Sequence, residues 1–135
     1  MSDSEREGFR FLARLREEWL SGANRFSTAG EALFGIYEEG QLIAVGGINR
    51  ESSDCGRLRR FYVKKSERRK GVGRFLAQHI LRCAAQNYGR VILRTDSEEA
   101  DRFYVSLGFV RFPFGGGPTH AIDLKPESKP EVRLA

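Results

Sequence analysis

The stretch GVGRFLAQHILRCAAQNYG, residues 71–89, constrains the fold more than any other part of the chain. Val72, Leu76, Ile80, Cys83 and Ala84 recur at helical spacing, which makes one face apolar, and Gly89 supplies a stop. Runs suited to strands flank it: RLRRFYV at 57–63 and RVILRT at 90–95. Strand, helix and strand in that order make a crossover, which in a single sheet is right-handed and joins parallel strands. A chain built round this unit is an α/β protein.

The neighbouring segments give the rest of the architecture. EGFRFLARLREEWLSG (7–22) places Phe9, Leu12, Leu15 and Trp19 at helical spacing before Gly22, and Trp19 reads as a helix-packing residue. ALFGIYEEGQLIAVGGI (32–48) reads as a hairpin turning at Glu39-Gly40. EEADRFYVSLG (98–108) is a short helix with Ala100, Phe103, Tyr104 and Leu107 on one face, followed by closing strands in FVRFPF (109–114) and THAIDLK (119–125). GGGP (115–118) is a loop between them, and PESKPEVRLA (126–135) reads as a poorly ordered tail. With 135 residues, 40% of them apolar, the chain supports one domain over 1–125. The sheet is expected to be mixed, with hairpins at both ends and flanking helices.

Neither a charged-then-apolar leader nor an apolar run of the ~20 residues needed to span a bilayer is visible, so the expected setting is the cytoplasm, with no membrane partner. Cys55, in an expected loop, and Cys83, in the apolar stripe of the long helix, are too few and too scattered for a disulfide framework or a structural metal site. Both read as free thiols, Cys83 as a small core residue. His79 and His120 have no partner at motif spacing and are given structural or solvated roles.

The net charge of +5 favours an anionic partner in a general way. Its distribution says more: nine Lys or Arg residues stand between Arg57 and Arg74 against one acid, Glu67. The densest part, ERRKGVGR at 67–74, wraps Gly71 and Gly73 at the start of the long helix. There the first N–H groups have no intrahelical acceptor and the helix dipole adds partial positive charge, so a phosphate fits. Glycine at both positions removes the Cβ atoms that hold a ligand off the backbone, and Arg68, Arg69, Lys70 and Arg74 add charge at the rim.

Three phosphate-binding readings compete. A Walker-type loop fails, because no Lys-Ser or Lys-Thr pair follows the second glycine. A dinucleotide fold has Asp96 at a suitable spacing, 23 residues after Gly73, but Leu76 stands where a third glycine is needed and a basic loop, Lys64 to Lys70, separates strand from glycines. The third reading rests on LRRFYVKKSERRKGVGRFL, VILRTDSEEA and ADRFYVSLGF taken together. These resemble the GNAT superfamily of acetyl-CoA-dependent N-acetyltransferases. Val63, five residues to Arg68, then R-x-x-G-x-G and a helix resemble its pyrophosphate signature, and A-x-x-F-Y-x-x-L-G-F from Ala100 to Phe109 resembles its C-terminal signature. The resemblance covers roughly residues 32–110.

What the resemblance implies is a mostly antiparallel sheet splayed between the RLRRFYV and RVILRT strands, with acetyl-CoA in the wedge. Backbone groups of Phe61, Tyr62 and Val63 would pair with the pantetheine arm, while Arg68, Arg69, Lys70, Gly71, Val72, Gly73 and Arg74 would hold the pyrophosphate. Other cations would meet the 3′-phosphate or face water. Ser97 stands three residues before Ala100, where the family often has asparagine, and can still donate to the cofactor with less reach. Tyr104 is identified through the resemblance as the general acid for the departing thiolate; from spacing alone it serves equally as a packing residue. A phenol of pKa ~10 stays protonated at neutral pH and lies near a thiol.

Two departures stand out. The family commonly has a strand ahead of its first helix, and that strand is expected to be missing here. Many members carry an acid early in the strand before the signature, serving as base for the acceptor amine, where this chain has Arg57. Glu38, Glu51, Asp54 and Tyr62 through a water are open alternatives for the base. The implied activity is transfer of acetyl from acetyl-CoA to a primary amine of a small molecule or protein, with a homodimer left open. The rivals are a nucleic-acid-binding module using residues 57–74, which lacks a stacking platform or recognition motif, and a CoA-binding protein without catalysis.

Overall fold

The computed structural model describes residues 29–112 and 117–124, together with Leu134. The helix expected around Trp19, the question of a strand before it, and the tail at 126–135 apart from Leu134 lie outside the described residues.

Strand β1 (Ala32–Glu38) pairs antiparallel with β2 (Gln41–Ser52). Glu39 and Gly40 both have positive φ, 50° and 79°, the mirror-image turn whose twist suits a two-residue hairpin loop. Beyond the expected end at Ile48, β2 runs four residues further and turns through Ser53-Asp54 into β3 (Cys55–Val63). Cys55, expected in a loop, is therefore the first residue of β3. Asp54 explains the difference: its backbone carbonyl accepts from Gly89 N at 3.0 Å and Arg90 N at 3.2 Å, and its carboxylate accepts from Gly89 N at 2.9 Å. These bonds tie the hairpin tip to the start of β4 (Arg90–Leu93).

Between β3 and β4 lies α1 (Val72–Ala84), whose buried residues Leu76, Ala77, Ile80 and Ala84 follow the apolar stripe. Cys83 sits on the flank of that stripe, half-buried, with Sγ 3.7 Å from His79 Nε2. The helix stops five residues before Gly89. Tyr88, 3% exposed, still donates its N–H to Ala84 O at 2.8 Å and donates its hydroxyl to Gly30 O at 2.7 Å.

After β4 come α2 (Glu98–Ser106), β5 (Val110–Arg111) and β6 (His120–Asp123). Among the described residues the sheet order is β1-β2-β3-β4-β6-β5, and only β3 and β4 run parallel. The crossover read from the sequence is thus the one parallel joint among the six described strands. Ala44, Ile48, Leu58, Val63, Leu93 and Val91 meet Leu76, Ile80, Ala84, Tyr104 and Phe109 in one core. Among the described residues, no helix is long and apolar enough to cross a membrane.

Candidate active site

The parallel joint closes at one end only. β3 and β4 pair through Cys55, Gly56 and Arg57 against Arg90, Val91 and Ile92, and the ladder stops there although β3 continues to Val63. Next to the break β3 carries a bulge: Val45 pairs with Tyr62 and Gly47 with Arg59, so β3 has one residue too many, and Arg60 takes φ 57°. A bulge bends its strand and strengthens the twist, which turns β3 away from β4. The edge of β3 from Leu58 to Val63 therefore faces a wedge rather than a neighbouring strand. Leu58 and Val63 point into the core, with Phe61 packed against it, while Arg57 and Arg59, each half-buried, stand on the opposite face.

At the open end the chain makes a single 3-10 turn, Lys65–Glu67, and enters α1. Arg69 and Gly71 both have positive φ, 65° and 83°, and Gly71 is the N-cap residue without any side-chain cap. The N–H groups of Val72, Gly73 and Arg74 thus open the helix without intrahelical acceptors. The two glycines serve different ends. A Cβ at Gly71 meets nothing within 4 Å, so its need is conformational. A Cβ at Gly73 meets Val63 Cγ2 at 3.2 Å and Phe103 Cζ at 3.4 Å, so the second glycine seats α1 against β3 and α2. The sequence reading gave both to ligand approach; at Gly73 the neighbour is the protein itself.

The charged side chains divide similarly. Arg68 donates Nε to Val63 O at 2.9 Å and lies over the Tyr62 ring, bracing the loop. Lys70 is 3.6 Å from Glu67, Arg69 is exposed, and Arg74 reaches back to Ser106 O and Oγ at 3.4 and 3.3 Å. Val72 is half-buried at the helix start. Ser97 is the N-cap of α2, its Oγ accepting from Ala100 N at 3.1 Å. Its hydroxyl hydrogen is not consumed by that bond.

Tyr104 projects from α2 beneath the wedge. Its ring is 7% exposed and packs against Phe61, Phe103 and Phe109 at 6.0, 5.3 and 5.5 Å between centroids. The L-G-F end of the motif has a structural reason: Gly108 N donates to Val105 O and Phe109 N to Tyr104 O, closing the helix and folding Phe109 under Tyr104. Burial pushes the Tyr104 phenol well above its ordinary pKa. The expectation of a phenol near 10 is therefore corrected: desolvation makes it a weaker acid.

His120, set aside in the sequence, is 3% exposed and belongs to a polar network beside this tyrosine, 6.1 Å between ring centroids. Its Nε2 lies 2.7 Å from Asp101 Oδ1, and its Nδ1 lies 2.8 Å from Thr119 Oγ1, which accepts from Thr95 N at 3.0 Å. A neutral ring donating Nε2–H to Asp101 and accepting the Thr119 hydroxyl satisfies every member. Arg111 grips Asp101 through both carboxylate oxygens at 2.7 and 2.9 Å. Hydrogen bonds from Arg111 first, then His120, hold the Asp101 carboxyl down to about 2. Asp101 and His120 are 19 residues apart, so local spacing carries no trace of the pair; only the β6 insertion between β4 and β5 joins them.

The candidate bases lie apart from one another. Glu38 pairs with Gln41, at the sheet end where β2 meets Val63. Asp54 is occupied by Gly89 beyond the closed end. Glu51 lies 3.6 Å from Arg57, whose partner Ile92 forms the last β3–β4 rung, so of the three carboxylates it stands beside the break. The Tyr62 ring lies under the Arg68 guanidinium. Among the described residues, no group of three or more His, Cys, Asp or Glu side chains is placed to hold a metal ion.

Comparison with known proteins bears on this arrangement. Residues 2–109 match the model of the acetyltransferase (GNAT) family. A crystal structure from Exiguobacterium sp. 255-15, of a protein described as an acetyltransferase, is 33% identical, with TM-score 0.73 over 89% of this chain and 79% of that one. The ribosomal-protein-S18-alanine N-acetyltransferase of Escherichia coli shares the fold at 18% identity, with TM-score 0.62 over 84% and 81% of the two chains. Rv2747 from Mycobacterium tuberculosis, in complex with CoA, does so at 21% identity and TM-score 0.54 over 62% and 52%. A search of curated proteins returned no match.

Proposed function

Given that the chain belongs to the acetyltransferase (GNAT) family, we propose that it transfers acetyl from acetyl-CoA directly to a primary amine, within the wedge between β3 and β4. The observation that carries this reading is the early end of the β3–β4 ladder at Arg57 and Ile92, next to an uncapped α1 N-terminus. An extended amide-bearing chain can pair with the exposed strand edge as an added strand, and a pyrophosphate can lie against the N–H groups of Val72, Gly73 and Arg74. Pantetheine supplies the first and CoA the second. Phe61, Tyr62 and Val63 provide the strand edge; Arg69, Gly71 and Lys70 shape the phosphate end, with Arg68 bracing it and Arg74 and Ser97 at its margins.

That placement sets the chemistry at the far end of the wedge, near Leu58. An alkylammonium with a pKa near 10.4 is ~0.1% or less deprotonated at neutral pH, and only the free amine attacks a thioester. The amine nitrogen forms a bond to the carbonyl carbon, and a β3 N–H is suited to the negative charge that gathers on oxygen. The carbon–sulfur bond then breaks, and the thiolate takes a proton for which Tyr104 is the buried donor. The ammonium proton leaves before attack to water or to Glu51, the carboxylate beside the break, and the second proton that the nitrogen sheds as the amide forms passes through water to restore the Tyr104 phenol.

The test is release of CoA thiol from acetyl-CoA in the presence of a panel of amines, with mass spectrometry of the products. An N-acetylated product formed in step with thiol release supports the reading. Thiol release without an acetylated amine, or no effect of acetyl-CoA on the melting temperature at millimolar concentration, contradicts it, since a ligand of the native state must stabilise it.

A further inference from the structure

Arg59 stands one residue past Leu58, where β3 has left β4. It is half-buried and shares the face of Arg57, because Arg57 pairs with Asn49 and Arg59 with Gly47 across β2, while Leu58 and Ile48 between them face the core. Arg57 is 20% exposed and answered by Glu51 at 3.6 Å. Arg68 is answered by Val63 O and Tyr62. Among the described residues, no carboxylate, carbonyl or ring is paired with Arg59. A guanidinium with five planar donors and no acceptor among the described residues is suited to a bidentate anion.

The phosphate end of the wedge lies elsewhere. From Arg59 to Val63 the strand climbs about 10 Å, because the bulge leaves it opposite only Gly47 to Ala44 of β2 at ~3.3 Å per residue, and α1 begins beyond that. Arg59 therefore belongs to the acetyl end rather than to the pyrophosphate. Asn49, on the same face, is bonded through Nδ2 to Glu31 Oε2 at 3.0 Å, so that carboxylate is engaged with another partner.

From this placement we infer that the acceptor is a small amine carrying an anionic group, a carboxylate or a phosphate, which Arg59 binds while the amine points toward the thioester. The inference rests on the acetyl-transfer reading above. Arg57 is offset by Glu51 at 3.6 Å, so Arg59 is the cation that disfavours the charged ammonium. Neutralising the acceptor's own anionic group acts in the same sense, and each unit by which the amine pKa falls raises the free-amine fraction about tenfold at neutral pH.

Matched pairs of amines test this. Acetylation rates are measured for β-alanine against propylamine and for O-phosphoethanolamine against ethanolamine, in the wild type, Arg59→Met and Arg59→Lys, with acetyl-CoA affinity measured by calorimetry on each. The expected result is a kcat/KM at least about 10-fold higher for the anionic member of one or both pairs, within the range of a charge-assisted bond. That ratio falls to about one in Arg59→Met and is partly restored in Arg59→Lys, while acetyl-CoA affinity stays the same in all three. A preference confined to β-alanine assigns a carboxylate, and one confined to O-phosphoethanolamine a phosphate. Equal rates within both pairs, a preference that survives Arg59→Met, or neither turnover nor binding of any anionic amine by a protein that binds acetyl-CoA overturns the inference and leaves acetyl transfer standing. Failure to bind acetyl-CoA overturns both.

Discussion

Replacing Tyr104 by phenylalanine separates catalysis from packing at a buried residue of the candidate site. The ring contacts with Phe61, Phe103 and Phe109 do not involve the hydroxyl, and among the described residues no hydrogen bond to that hydroxyl is made. Deleting it therefore changes stability by no more than about 1 kcal/mol in either direction, a shift of roughly 5 °C or less for a chain of this size. The effect on turnover is larger. General acid catalysis contributes about 100-fold to 10,000-fold, and the raised pKa of this phenol makes it a weaker donor, so the loss is expected near the lower end. A 100-fold loss corresponds to ~2.7 kcal/mol in the barrier.

Linkage provides a second readout. A phenol whose folded pKa is raised contributes stability that is present below its unfolded value near 10 and is lost as pH rises through the folded value. Above pH 10 the wild type should therefore lose melting temperature faster than Tyr104→Phe. The assay is steady-state turnover with saturating acetyl-CoA, beside thermal melts from pH 8 to 11. A variant that retains most of its turnover refutes the acid role and leaves Tyr104 as a packing residue.

Gly73→Val should lower stability by about 1–3 kcal/mol, because its methyls must enter a space already bounded by Val63 and Phe103. It should also weaken acetyl-CoA binding more than Arg69→Ala, whose side chain is exposed; thermal melts and calorimetry rank the two, and the reverse order would assign the binding to the charges. For Asp101→Asn the sign follows from a carboxyl held at about 2, so the wild type's advantage is full above the ordinary carboxylate value near 4 and shrinks as pH falls toward 2. Melts between pH 2 and 6 check it, and a gap independent of pH would mean the His120 and Arg111 bonds add nothing. Tyr88→Phe loses the bond to Gly30 O and should cost about 1 kcal/mol, read from a denaturant midpoint; an unchanged midpoint would show that this bond does not hold the start of β1.

The parts of the fold that were legible in the sequence are those decided locally. The apolar stripe from Val72 to Ala84, the Glu39-Gly40 turn and the shared face of Phe103 and Tyr104 depend on neighbours within one or two turns. The rest depends on partners far along the chain. The extension of β2 through polar Asn49 to Ser52 follows from its pairing with β3, and the bond from Tyr88 to Gly30 O joins residues 58 apart. Arg60 carries no mark of the bulge, since left-handed backbone is signalled by glycine or asparagine and this position has neither. The R-x-x-G-x-G pattern marks the loop that enters α1 but not which of its residues meet neighbours in the protein. Arg74, Ser97 and Gly73 each satisfy a neighbour in the protein, a role that only tertiary contacts disclose.

The most direct test of acetyl-CoA in the wedge is an amide NMR titration of the labelled protein with acetyl-CoA. Binding there should shift and protect from exchange the amides of Phe61 to Val63 and of Gly71 to Arg74, while leaving those of the β1–β2 turn at Glu39 and Gly40 unchanged. Shifts confined to other surfaces, or none at millimolar acetyl-CoA, would contradict the placement of the cofactor between β3 and β4.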